Sequence, residues 1–285
     1  MRLPTFPILR HIKHKLSYKM MAFDHRDFPY TGTGKSIPSE SNGWVRAAFP
    51  KPNYDQLKEG SCTANSYSKN QQIEEIRYLS KTSRISMLDA KSKVKDLSRQ
   101  FFYHNELIIL NGNASNDTGA DKRTMAKTGQ KIGICLEGLW GYGAHRFSEN
   151  PSSICFQNAQ DHKISRYEFP KSLDDIKDAI NNRHKAVSIG IPVHKSFMTK
   201  KVATTGLVPL PTGGFFGRWI DPIEGGHELI ITHYDDTQEV DGCIGAFWVE
   251  NSWSSNWGIN GGCWIPYRYF EQEGGDYLVI YFKED

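Results

Sequence analysis

The sequence has no long apolar run. Its longest apolar stretches are strand-sized, whereas a membrane-spanning helix needs about 18 consecutive apolar residues, and the mean hydropathy is −0.55. Prolines and basic residues interrupt the first 15 residues, so no secretory signal is predicted. We therefore expect a soluble protein with no membrane span, while the cellular compartment is left open.

Cysteine is scarce and its spacing is uninformative for metal binding. The chain has five cysteines and no C-x-x-C pair, so a structural zinc site is not predicted. Cys135 with Cys155, and Cys243 with Cys263, could each form a bridge, but without a known compartment free thiols are the favoured alternative. Cys62 is then left over, which suits a reactive thiol without establishing one.

Charge is nearly balanced, at +3 overall, but the first 20 residues carry five basic side chains and no acid. Such a tail can contact nucleic acid or a membrane, or it can be a solvated or inhibitory extension. It has no interleaved stacking aromatics and no nucleic-acid-binding motif. We therefore predict no nucleic-acid partner, and the sequence does not indicate an oligomeric state.

The composition of the chain changes near residue 45. Residues 1–45 are basic and irregular, with one short basic helix expected around 8–16, whereas residues 46–285 have the pattern of a packed domain. Its first half (46–165) favours helices and its second half (166–285) favours strands, which predicts an α+β protein of two lobes with a cleft between them. The predicted helices are 62–79, 85–106 and 173–182, and the predicted strands are 187–191, 229–232, 246–249 and 277–281.

Cys62 begins the longest uninterrupted helical pattern. Gly60 and Ser61 precede it, and no glycine or proline follows until after Leu79. A cysteine at a helix N-terminus lies at the positive end of the helix dipole, which favours the thiolate. An inert buried thiol is the structural alternative for any single cysteine.

A histidine and an asparagine have matching positions beside strands. His227 follows two glycines and leads into a strand, and Asn251 ends another strand just before Trp253. An asparagine can accept the Nδ1 proton of a basic histidine and fix its tautomer. Trp253 and Trp257 would shield that hydrogen bond from water. The alternative is that His227 has a structural role, which is the more common one for a histidine at the start of a strand.

These three blocks together resemble the papain family of cathepsin-like cysteine peptidases. Residues 55–62 (Asp-Gln-Leu-Lys-Glu-Gly-Ser-Cys) resemble its nucleophile block, with Gln56 six residues before Cys62. Gly226-His227 resembles the histidine block, and residues 251–261, beginning Asn-Ser-Trp, resemble the asparagine block. The order of the blocks is that of the family, and Ser-Cys-Thr-Ala-Asn is typical of a branch from microbes and large viruses.

The resemblance implies a papain-like two-lobe fold, with a helical lobe, a β-barrel-like lobe and the active site between them. It implies an endopeptidase that acts on polypeptides through a Cys62 acyl-enzyme and needs neither metal nor organic cofactor. His227 would be the base, Asn251 would orient it, and Gln56 would contribute to the oxyanion hole. Residues 1–45 would then be a pro-segment that blocks the cleft of a zymogen.

Several positions depart from the family pattern. Glu59 replaces a cysteine, Glu228 follows the histidine where a small residue is usual, and His233 replaces a glycine. The double-glycine turn that binds substrate backbone is missing, and residues 116–119 are expected to replace it. The candidate substrate-binding residues are Gly119, Gly226 and Trp253.

Other functions remain compatible with the same residues. One alternative is a non-catalytic papain-fold binding protein, and another is an acyl transferase or ligase that uses the same triad. Residues 209–224 could close one end of the cleft, as an exopeptidase requires. Substrate preference is not indicated by the sequence.

Overall fold

The computed structural model describes residues 14–22, 24–143, 145–213 and 221–283. The helices are α1 Trp44–Ala48, α2 Cys62–Ser83, α3 Met87–Lys93, α4 Arg99–Asn111, α5 Lys122–Lys131, α6 Ser153–Ala159, α7 Leu173–Asn182, α8 Lys200–Thr205 and α9 Tyr267–Glu273. The strands are β1 Ile164–Glu168, β2 Val187–His194, β3 Ile223–Val240, β4 Cys243–Glu250, β5 Gly262–Pro266 and β6 Asp276–Phe282. Within these ranges no helix combines the length and the apolar character that a membrane span needs.

Helix α2 is the central helix of the first lobe. Its first 15 residues, 62–76, are buried, and small side chains allow this close packing. Tyr67 stacks on Phe102 of α4 with ring centroids 3.9 Å apart, and Gly129 of α5 leaves room for the same tyrosine. This packing holds the first turn of α2, and with it Cys62, in the interior.

The single helix predicted over residues 85–106 is wrong, because the structure has two helices, α3 and α4. Between them Leu97 pairs with Leu136 in an isolated β-bridge, and the Ser98 side chain accepts a hydrogen bond from the Phe101 N–H to begin α4. A long-range pairing has thus overridden a continuous local helix propensity. The prediction for α7 is confirmed, including the capping box of Ser172 and Asp175.

The described strands form one antiparallel sheet in the order β1-β6-β2-β3-β4-β5. Its two edge strands, β1 and β5, lie at opposite ends of that order, so the sheet is open and only loosely barrel-like. The α+β fold class with a helical first lobe is confirmed. The sequence pattern located parts of β2, β3, β4 and β6 but missed the two five-residue edge strands.

The N-terminal segment lies between the two lobes. The short basic helix expected around 8–16 falls mostly outside the described residues, and residues 14–16 are not helical. The Tyr18 N–H donates to the carbonyl of Gly226 at 3.0 Å, and the Lys19 N–H donates to Ala120 at 3.1 Å. The predicted boundary at residue 45 falls within α1 and stays a prediction.

Candidate active site

Cys62 is the first residue of α2 and is completely buried. Its sulfur accepts hydrogen bonds from the backbone N–H groups of Glu228 and Thr63, both of which favour the thiolate. Burial is the larger effect and raises the pKa of the Cys62 thiol to about 12. In this closed form the sulfur is therefore protonated near neutral pH.

His227 and Asn251 are brought together by the pairing of β3 with β4. Ile230 of β3 lies opposite Glu250 of β4, so His227, earlier in β3, and Asn251, just after β4, lie beyond the same end of that pair. The His227 Nε2 and the Asn251 Oδ1 are 2.8 Å apart. This corrects the prediction that the amide receives the Nδ1 proton: the ring presents Nε2 to Asn251, and Nδ1 has no hydrogen-bond partner among the described residues.

Burial lowers the pKa of His227 to about 4, although the hydrogen bond to Asn251 opposes that shift. Proximity to His14 lowers it further. The histidine is consequently neutral in the closed form, and Nε2–H donates to the amide oxygen. That tautomer leaves the lone pair on Nδ1.

Trp253 lies between two imidazole rings. It stacks on His227 with centroids 4.7 Å apart and on His14 with centroids 5.1 Å apart. Trp257 packs edge-on against it at 5.3 Å. The indole thus covers the histidine and its hydrogen bond to Asn251 from solvent.

Gln56 is connected to the same block through Ser252. Its Oε1 accepts a hydrogen bond from the Ser252 hydroxyl at 2.8 Å, and its backbone N–H donates to the Ser252 carbonyl at 2.9 Å. The Nε2 donates to the carbonyl of Glu59 at 3.0 Å and to that of Lys15 at 3.1 Å. The amide is therefore held by Glu59 and Ser252, one from each lobe, and presents its donor to the N-terminal segment.

Gly119 and Gly226 border the path of that segment on opposite sides. A Cβ added to Gly119 would lie 1.9 Å from the carbonyl oxygen of Ser17, and one added to Gly226 would lie 2.3 Å from that of Tyr18. Gly119 also has a φ of +71°, which disfavours other residues. Both positions therefore admit the backbone of an extended chain.

The loop expected to replace the double-glycine turn contacts the nucleophile turn directly. Asp117 accepts hydrogen bonds from the Gly60 N–H at 3.0 and 3.1 Å and from the Tyr103 hydroxyl. It also forms an ion pair with Lys15 at 2.8 Å. The loop thus connects the start of α2 to the segment in the cleft.

The chain as a whole is similar to known proteins. An uncharacterised peptidase C1-like protein of Acanthamoeba polyphaga mimivirus is 30% identical over 237 residues, which are 79% of this chain and 68% of the relative. The chain belongs to the papain family of cysteine peptidases. No protein-family profile matches it.

Solved structures agree with that assignment. Xylellain, a cysteine protease from Xylella fastidiosa, superposes with a TM-score of 0.77 at 27% identity, covering 97% of this peptidase and 99% of xylellain. Digestive procathepsin L 3 of Tenebrio molitor superposes with a TM-score of 0.64 at 16% identity, over 90% and 74% of the two chains. Bromelain from Ananas comosus, solved with the E64 inhibitor, gives 0.60 at 14% identity, over 87% and 100%. The last two matches support the fold alone.

The structure also shows a charged pair next to the site, and the sequence had indicated only one of its two residues. Glu228, noted as a departure, forms a fully buried ion pair with Lys122 of α5. Burial raises the pKa of Glu228 to about 7 despite this partner. No local pattern indicated Lys122, because its partner lies 106 residues away. His233 instead contacts the Ser41 hydroxyl at 2.5 Å.

The five cysteines of the peptidase are free thiols, so neither of the two bridges considered from the sequence forms. Cys135 and Cys155 contact each other as thiols within one small core cluster. Cys243 begins β4 opposite Val240, whereas Cys263 pairs with Val249 at the other end of that strand. The strand register therefore separates the second pair.

Proposed function

We propose that this peptidase hydrolyses peptide bonds through a Cys62 acyl-enzyme, with His227 as base and acid, Asn251 orienting it and Gln56 stabilising the oxyanion. One observation carries the proposal: the carbonyl oxygen of Lys15 accepts a hydrogen bond from the Gln56 Nε2. A peptide carbonyl thus already lies against the proposed oxyanion donor. Cys62 and His227 are both fully buried, and the Cys62 sulfur lies within hydrogen-bond reach of the backbone of Glu228, the residue after the histidine.

The chemistry follows from these positions. Nδ1 of His227 takes the thiol proton as the sulfur attacks the carbonyl carbon, and the tetrahedral oxyanion receives hydrogen bonds from Gln56 Nε2 and the Cys62 N–H. The protonated histidine then gives its proton to the leaving amine, which leaves a thioester. His227 next removes a proton from water, which attacks the thioester, releases the carboxylic acid and restores the thiol. Asn251 keeps Nε2 protonated throughout and so keeps Nδ1 available.

We further propose that residues 1–45 are an inhibitory pro-segment, with the two lobes at 46–165 and 166–285. The support is the position of residues 14–22, which run through the cleft. Lys15 pairs with Asp117, and the His14 Nε2 lies 3.0 Å from the Asp55 carboxylate. While this segment is bound, Cys62 has no exposed surface. A peptide substrate must displace it before catalysis.

The test uses the intact chain. Lys15→Glu places a carboxylate against Asp117 and should release the segment, so that cleavage of a fluorogenic peptide library rises at least about tenfold over the unaltered chain. Lys19→Glu makes the same charge change at an exposed position and serves as the matched control. Adding Cys62→Ala to the Lys15→Glu chain should reduce turnover to background.

Three outcomes would contradict parts of the proposal. Equal activity of the unaltered and Lys15→Glu chains would remove the inhibitory role. Alkylation of Cys62 without any turnover would indicate a binding protein. Transfer of the acyl group to an added amine, in preference to water, would indicate a transferase or ligase.

A further inference from the structure

The cleft contains a side-chain pocket beside His227, and the peptidase fills it with its own Tyr18. The tyrosine is 5% exposed. Its backbone N–H donates to the carbonyl of Gly226, the residue before the histidine, at 3.0 Å. The pocket therefore opens directly beside the proposed catalytic groups.

The shape of the pocket suits a planar ring. A Cβ added to Gly190 of β2 would lie 2.1 Å from two carbons of the Tyr18 ring, so this glycine provides a flat wall. Lys122 lies on the ring face, with its Nζ 5.5 Å from the centroid. A buried cation on an aromatic face is an attractive contact.

The end of the pocket carries a hydrogen-bond acceptor. The Tyr18 hydroxyl donates to Oδ2 of Asp276 at 2.7 Å. Asp276 begins β6 and its backbone is paired with Gly190, so its carboxylate is held at a fixed depth. The Met21 N–H is a second donor to the same oxygen, also at 2.7 Å. Departure of the segment would remove both donors from this carboxylate.

We propose that this pocket is a substrate subsite selective for tyrosine, with Asp276 as its specificity-determining residue. The inference rests on the proposed peptidase function. Phenylalanine would fill the ring space but would leave the carboxylate without its donor. Leucine would forfeit the aromatic contact with Lys122. Lysine or arginine would pair with the Asp276 carboxylate, but it would forfeit the same aromatic contact and place a second cation beside Lys122, which already pairs with Glu228. Of these side chains, only tyrosine fits against Gly190, places an aromatic face on Lys122 and donates a hydrogen bond to Asp276.

The first experiment measures the pocket in the intact chain without requiring turnover. Tyr18→Phe, Asp276→Ala and the double variant are compared by the alkylation rate of Cys62 with iodoacetamide, located by peptide mass mapping. Each single change should raise the rate about tenfold, the effect of a hydrogen bond to a charged group. The double variant should be no faster than Asp276→Ala, because that change already removes the contact with the Tyr18 hydroxyl together with the one from the Met21 N–H. Additive effects, or no effect, would show that this contact does not hold the pocket.

The second experiment measures substrate selection in the full chain carrying Lys15→Glu. Fluorogenic tetrapeptides place tyrosine, phenylalanine, lysine or leucine at each position before the scissile bond. At one position tyrosine should exceed phenylalanine about tenfold in kcat/KM, and Asp276→Ala should reduce that ratio to about one. The exposed Asp174→Ala is the control.

The outcomes separate the two proposals. Turnover with no tyrosine preference, or with a preference that survives Asp276→Ala, overturns the subsite and leaves the peptidase function standing. Absence of turnover with every substrate overturns the peptidase function. In that case the alkylation cycle still decides whether the pocket recognises the phenol.

Discussion

The two walls of the cleft are held in different ways. The sheet wall (Gly226, His227, Asn251) lies on and beside β3 and β4, whose backbone ladder sets the spacing of its residues. The helical wall (Gln56, Cys62, Gly119) lies on loops and at a helix start, and several of its contacts are made to residues 15–17 of the proposed inhibitory segment. The sheet wall should therefore keep its geometry when the segment leaves, whereas the helical wall loses part of its hydrogen bonding.

The largest effect should come from the helical wall. In the Lys15→Glu chain, Gln56→Ala removes the proposed oxyanion donor and should lower kcat/KM by about 10²–10³-fold. The loss should appear in kcat more than in KM, because the oxyanion exists only in the transition state. Steady-state kinetics provide the measurement, and a change confined to KM would place Gln56 in ground-state binding instead.

A smaller effect is expected on the sheet wall. Asn251→Ala removes the acceptor of the His227 Nε2–H, at 2.8 Å, and should lower kcat by about 10–100-fold, because the tautomer and the ring orientation are no longer held. Asn251→Asp keeps an acceptor and should retain more activity than the alanine variant. Equal kcat for the alanine variant and its parent would contradict the orienting role.

A still smaller effect is expected from the contact between the N-terminal segment and the sheet wall. His14→Ala removes the stacking on Trp253 and the hydrogen bond to Asp55, so alkylation of Cys62 in the intact chain should become about 3–10 times faster. His25→Ala, an exposed histidine in the same N-terminal region, is the matched control. An unchanged rate would mean that the charged contact of Lys15 holds the segment without help from His14.

The smallest effect concerns pH. Burial raises the pKa of Glu59, beside the nucleophile turn, to about 7. The folded protein therefore binds this proton more tightly than the unfolded chain, and the contribution of Glu59 to the free energy of unfolding should fall as pH rises from about 4.5 to 7. Glu59→Gln should reduce that slope by up to about 1 kcal/mol per pH unit.

Urea unfolding at pH 4.5, 5.5 and 7 measures this slope. Glu228, whose pKa burial also raises to about 7, should account for a remaining slope in the Glu59→Gln protein. A pH dependence that is the same in the unaltered and the Glu59→Gln chains would contradict the raised pKa of Glu59.

The local patterns were sufficient for several elements of the fold. The start of α2 at Cys62 and the capping box of α7 follow from residues adjacent in the chain, and the structure has both. The gap between α3 and α4 was not predictable locally, because it depends on the pairing of Leu97 with Leu136. Short-range propensity carries no information about a partner so far along the chain.

The candidate site divides in the same way. The chain order of Cys62, His227 and Asn251 and their neighbouring residues indicated a papain-like peptidase before any coordinates were considered. The ring nitrogen that faces Asn251 was predicted wrongly. It depends on how the side chain is rotated in the folded protein, which the residue type does not reveal.

The sequence by itself therefore determined the family, the candidate catalytic residues and the main elements, since each depends on neighbours within one block or one period. Only the tertiary structure decided that Lys122 pairs with Glu228 and that Tyr18 fills the pocket ending at Asp276. Lys122 and Glu228 are 106 positions apart in the sequence, and Tyr18 and Asp276 are 258 positions apart. Their contacts arise because packing of the two lobes excludes water from the cleft, and a buried charge or hydroxyl must then find its partner wherever the fold has placed one.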